Sequence, residues 1–178
     1  VEMVPNEIEF WIEYSKNESY EKAKNILNKG RKLNPKSLTI WISAIMLEED
    51  HYKEIREKEK NESFDETYMI VNKIETMIEK SNSILSKNGY NPTREEYIEE
   101  ADILLKLSYS ISSEAIIKLT ILKDYSIYTK EETKKIWRDI INVYILHRQL
   151  YDIVRKIYKI LYENDNEDIS IWYEALMF

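Results

Sequence analysis

His51 and His147 are the two imidazoles of this chain, which has no cysteine. A zinc-type site needs nitrogen or sulfur ligands in close register, and these two histidines lie far apart and in no HExxH-like spacing. They read as a surface His51 and a helix-face His147. The lack of cysteine also removes disulfides and thiol nucleophiles, and it suits a reducing cytosolic or nuclear compartment. Phosphate-cradling loops need clustered glycines, whereas Gly30 and Gly89 stand alone, so P-loop and dinucleotide fingerprints are excluded. The acidic runs "EIEFWIEY", "REEYIEEAD" and "NDNEDIS" offer paired carboxylates for acid-base work. Exposed helix faces produce such pairs at three- and four-residue spacing as a matter of course. The 14 tyrosines would suit base stacking in single-stranded RNA, but without a basic or glycine-rich context helix packing is the plainer use. No catalytic, cofactor or metal residue is nominated, and a non-enzyme is expected.

The elements that carry these residues follow from composition. At 178 residues, 43% hydrophobic and 33% charged, the chain has material for one sizeable core. It contains no run of 18 apolar residues, so no helix is expected to span a bilayer. A net charge of -7 and pI near 5.1 disfavour a phosphate-binding surface, which normally concentrates Lys and Arg. Two Gly and three Pro leave few turn signals and predict helices joined by short loops. The chain begins at Val1 and ends within "IWYEALMF", which suggests a fragment of a longer protein.

Aligning the chain on its large aromatics reveals a repeat. "SLTIW" (37–41) and "DISIW" (168–172) are nearly one word, and "TKKIW" (133–137) and "TREEY" (93–97) fit its frame. Each places a helix-capping Ser, Thr or Asp four residues before the aromatic; Thr93 with Glu96 forms a potential capping box, and Thr129 with Glu132 a competing start. Trp11, Trp41, Tyr97, Trp137 and Trp172 are 30, 56, 40 and 35 residues apart. The long interval holds "DHYKEIREKEKNESFDE", a charged insertion over 50–64 that reads either as a solvated extension of a helix, with Glu54 and Lys58 paired, or as a loop. Paired helices are expected: A helices near 6–16, 37–60, 93–107, 129–147 and 168–178, and B helices near 19–33, 65–87, 110–123 and 149–163. The units are then 6–35, 37–88, 93–124, 129–163 and a final 168–178, stacked as one all-α domain over 1–178 because one hairpin cannot bury its apolar face alone.

Within the first unit Ala23, Ile26, Leu27, Gly30 and Leu33 share a helix face, with Pro35 just beyond. Gly30 costs that helix about 1 kcal/mol against Ala, a cost best offset by a close neighbouring helix. Leucine at 30 should overpack, while one methyl is expected to fit. Trp11 is followed by Tyr14, Ser15 and Glu18, and Trp41 by Ala44, Ile45 and Glu48. This order of Trp, small or aromatic residue, and Glu, with Ala23 and Gly30 in a B helix that ends near Pro35, resembles the half-a-TPR (HAT) repeat. Tyr97, Ala101, Trp137 and Trp172 continue the frame; the counterparts of Glu48 (Leu104 or Tyr144) and of Gly30 (Ser81, Leu119, Ile160) depart from it.

The stretches "ESYEKAKNILNKGRKLNPKSLTIWISAIMLEE", "NGYNPTREEYIEEAD", "IWRDI" and "ISIWYEALMF" resemble the HAT array of the pre-mRNA-processing factor six family, the bridging factors of the spliceosomal tri-snRNP. That resemblance implies a right-handed superhelical solenoid and a nuclear, non-catalytic scaffold without cofactors or small-molecule substrate. Its implied partners are other tri-snRNP proteins, with RNA reached indirectly. The alternatives are another HAT-repeat scaffold, in messenger 3'-end cleavage or ribosomal-RNA processing, and direct RNA binding by a helical repeat.

Overall fold

Scarce glycine and proline let the backbone run in long helices joined by short connections. The computed structural model describes residues 7–59 and 64–177, the side chains of Phe64, Asp65, Ile169, Trp172 and Tyr173 excepted. The described residues are all-α: α1 (Ile8–Ser15), α2 (Tyr20–Leu33), α3 (Leu38–Glu59), α4 (Phe64–Lys87), α5 (Arg94–Lys106), α6 (Ser110–Ile127), α7 (Lys130–Ile140), α8 (Tyr151–Asn164) and α9 (Ile169–Leu176). A π-helical turn, Ile141–Ile145, extends α7. The insertion continues α3 as helix to Glu59, which decides between its two readings up to that residue; 60–63 lie outside the described residues, as do Pro5 and Asn6.

The chain forms two compact units, Val1–Thr93 and Arg94–Phe178. In the first, α2 buries Ala23, Leu27 and Gly30, one stripe at helical spacing, with α1 against it. A Cβ placed on Gly30 would lie 2.7 Å from Trp11 Cγ and 2.9 Å from Trp11 Cβ. The expected close approach is there, but the expected room for a methyl is not: the atoms in the way are the root of the indole, which cannot swing aside. Beyond α2, Ser37 caps α3, its Oγ accepting from Ile40 N–H at 3.3 Å. Trp41 is 1% exposed and carries the Arg31 guanidinium 4.0 Å above its ring. α3 and α4 pair antiparallel, tied by Glu48 to Lys73 and by Tyr52 Oη to Thr67 Oγ1 at 2.8 Å.

In the second unit α5 and α6 approach over small residues. Ala101, Ser112, Ser113 and Ala115 are buried, and Ser113 Oγ donates to the Ala101 carbonyl at 2.7 Å. Thr129 caps α7, accepting from Glu132 N–H, so the competing start is the real one and Thr133 is a buried residue inside the helix. The fit of "TKKIW" to the capping frame is thereby corrected: Thr133 lies a full turn too late to cap. The π turn buries Ile141 and Ile145, and α8 buries Ile153, Val154, Ile157, Tyr158, Ile160 and Leu161. Asp168 caps α9, accepting from Ser170 N–H at 2.9 Å.

Candidate functional site

The residues singled out in the sequence divide by burial. Trp11, Ala23, Gly30, Trp41, Glu48, Tyr97, Ala101 and Trp137 are buried; Pro35 and Ala44 are half-buried. Tyr14 is exposed, its ring 6.0 Å from Phe10. Trp172 falls in α9 and its side chain lies outside the described residues. These positions are distributed along each unit as packing residues and do not converge on one pocket.

Two polar centres hold the second unit. Asp124, at the end of α6, accepts from Arg94 Nε and Nη2 at 2.8 and 2.7 Å and from Trp137 Nε1 at 2.9 Å, so one carboxylate ties α5, α6 and α7 together. Glu131, Asp165 and Asp168 bring carboxylate oxygens within 4.8 Å of one another, a spacing a cation would bridge. The cation there is Lys134 Nζ, at 2.7, 2.9 and 2.5 Å, with its side chain 2% exposed. Burial opposes its charge, but hydrogen bonds to Asp168, Glu131 and Asp165 outweigh that and raise the lysine pKa. The same bond from Lys134, with those from Ser170, holds the Asp168 carboxyl well below the ordinary range.

The first unit carries a concave surface. Between α3 and α4 lies a groove of about 530 Å³, lined from α3 by Glu48, His51, Tyr52, Ile55 and Glu59 and from α4 by Glu66, Tyr68, Met69, Ile70, Asn72 and Lys73. The α3 residues recur every three or four positions, as one helix stripe must. At its base Glu48, 4% exposed, accepts from Tyr20 Oη at 2.9 and 2.8 Å and pairs with Lys73 Nζ at 2.7 Å. Burial works against the Lys73 charge, yet the bonds to Glu48 and Tyr20 raise its pKa. His51, expected on the open surface, is half-buried, its ring stacked on Tyr20 at 3.7 Å. His147 is exposed, in the turn after the π-helical segment. Tyr52 and Ile70 form a buried floor, while Ile55, Tyr68 and Met69 stand 38%, 64% and 68% exposed around it.

The sequence reading did not find this groove. The available signal was "YMIV" (68–71), four consecutive apolar residues of which a two-helix interface can cover only some. A scan against protein-family models gives no match, and no curated protein matches the chain.

Proposed function

We propose that this chain is a stretch of HAT-like repeats in a right-handed solenoid and works as a non-catalytic protein-binding scaffold in the spliceosome, in the manner of the tri-snRNP bridging factors. The observation that carries this reading is the Trp41–Ala44–Glu48 stripe of α3 beside the Gly30–Trp11 approach. In the first unit the Trp is buried, the Glu is buried and bonded, and the glycine is small because an indole rests on it. These are the residues whose spacing carries the HAT resemblance, and their burial supports a packing role for them. The recurrence of a capped turn before a large aromatic adds to it: Ser37 before Trp41 and Asp168 before Trp172 each form the same turn, with N–H of the cap bonded three residues back, to Asn34 and Asp165 at 3.1 and 3.2 Å. A scaffold of this kind holds other tri-snRNP proteins in the nucleus and reaches RNA through them.

The test is affinity purification of the full-length protein with mass spectrometry. Tri-snRNP proteins should dominate; recovery of 3'-end cleavage or ribosomal-RNA processing subunits instead would move the protein to another HAT scaffold. Direct binding of single-stranded RNA below micromolar Kd, steeply weakened by salt, would favour the RNA reading, since the net charge of -7 leaves few phosphates to be neutralised.

A further inference from the structure

Building on the scaffold reading, we propose that the α3–α4 groove is a docking surface for a short segment of a partner protein that carries apolar side chains and an arginine or lysine. Single exposed apolar residues are ordinary on protein surfaces. Here Ile55, Tyr68 and Met69 stand together around one concavity with a buried apolar floor, which is how recognition surfaces differ from scattered exposure. At about 530 Å³ the groove accommodates a few side chains rather than a domain. Methionine at its lip adapts to differently shaped apolar groups.

Charge selects the occupant. Glu48 is spent on Lys73 and Tyr20, which leaves the groove's charge to Glu59 and Glu66, both toward the α3–α4 connection. These carboxylates repel RNA phosphates and a second copy of this acidic chain, and they attract a cationic side chain whose apolar neighbours settle on Ile55, Tyr68 and Met69. A bound segment would therefore lie with its basic end toward the connection.

The test is selection from a displayed random-peptide library against the full chain, followed by titration of the enriched peptides. They should pair Arg or Lys with Leu, Ile or Phe and should bind Met69→Glu at least about tenfold more weakly, the loss of one interface anchor. Met69 is largely exposed, so the variant should keep its melting temperature. A Glu59→Lys/Glu66→Lys double variant, which leaves the apolar lip intact, should reject the basic peptides and enrich acidic ones. No enrichment, enrichment indifferent to both variants, or acidic peptides on the natural chain would overturn the proposal. So would an RNA oligonucleotide binding or a self-association that Met69→Glu abolishes. Purification of the full-length Met69→Glu protein separates the two readings. Unchanged recovery of every tri-snRNP protein would sink the groove and leave the scaffold standing. Groove-dependent peptides with no splicing proteins recovered would keep the groove and sink the spliceosomal assignment.

Discussion

The two units meet the same geometric demands with different residues. Where helices must approach closely, the first deletes a side chain: Gly30 lets α2 meet Trp11. The second keeps side chains and makes them small and bonded, as Ser113 does on the Ala101 carbonyl. The first fixes its Trp41 with a guanidinium over the ring, whereas the second fixes Trp137 with a hydrogen bond to a buried carboxylate. The two units thus bury large aromatics against neighbouring helices with different supporting residues. A large buried aromatic recurs in both, Trp11 and Trp41 in the first and Tyr97 and Trp137 in the second.

The largest effects should come from those tryptophans. Trp41→Ala and Trp137→Ala should each cost about 3–5 kcal/mol in denaturant melts, as large-to-small core changes do. Phenylalanine separates the two. Trp41→Phe keeps a ring under Arg31, while Trp137→Phe also removes a donor from Asp124, so it should cost about 1–3 kcal/mol more than Trp41→Phe. Equal costs would mean that the Asp124 bond is incidental and the two sites are alike.

Next comes the Lys134 centre, for which the first unit's nearest analogue is the single Glu48–Lys73 pair. Lys134→Met should destabilise by about 1.5–3 kcal/mol at pH 7, the scale of hydrogen bonds to charged groups. The pH dependence is more telling. Because the Asp168 pKa is depressed in the folded state, its contribution is complete above the ordinary carboxylate value near 4 and is lost as pH falls below that. The raised Lys134 pKa adds stability that is present below the ordinary lysine value near 10.4 and lost only above it. The contribution of this centre should therefore be level from about pH 5 to 9 and weaken below about 4. In Lys134→Met the three carboxylates repel, so its melting temperature should rise as pH falls from 7 to about 4.5. A variant whose pH profile parallels the natural one would show that Lys134 contributes packing alone.

Gly30 comes next in size. The contact with the root of Trp11 outweighs helix propensity, so Gly30→Ala should lose about 1–2 kcal/mol despite a propensity gain of up to about 1 kcal/mol. Gly30→Leu should lose more. Stabilisation by alanine would show that α1 yields, and would erase the contrast between a deleted side chain in one unit and small bonded ones in the other.

What was legible in the sequence was whatever leaves a periodic or compositional trace. The helices are amphipathic and interrupted by few Gly or Pro, so their ranges could be read to within a few residues. Gly30 announced its contact because glycine is costly inside a helix. Lys134 left no trace: a lysine between Thr133 and Lys135 looks like a solvated face until the α8–α9 turn brings Asp165 and Asp168 to it. The π turn at 141–145 is likewise invisible, since an apolar stretch looks the same whether bonded to i+4 or i+5. The groove depends on which apolar residues the facing helix fails to cover, and that is set by pairing register. Thr129 and Thr133 were equivalent as caps by residue type; the bond from Glu132 N–H to Thr129 and the burial of Thr133 distinguish them.

The smallest expected effect concerns how the helices stop. α4 ends with Gly89 at φ +81, where Gly89 N–H bonds Ser86 O at 3.0 Å and Tyr90 N–H bonds Leu85 O at 2.9 Å, the paired bonds of a left-handed C-terminal cap. The second unit builds the same cap twice without glycine. Ser108 sits at φ 69, with bonds from Ser108 to Leu105 and Tyr109 to Leu104, and Gln149 at φ 59, with bonds from Gln149 to Leu146 and Leu150 to Ile145. Left-handed backbone costs an L-residue about 1–2 kcal/mol, while glycine gives back roughly 0.5–1 kcal/mol through the freer unfolded chain. Gln149→Gly should therefore stabilise by about 0.5 kcal/mol, and Gly89→Ala should destabilise by about 1 kcal/mol even though open space surrounds its Cβ. Gln149 is the cleaner choice, since Ser108 takes part in a further interaction. Urea midpoints at constant m-value measure both. If Gln149→Gly is destabilising, the turn after α7 is held by the glutamine side chain itself, and the second unit has replaced glycine here by a specific bond rather than by tolerating strain.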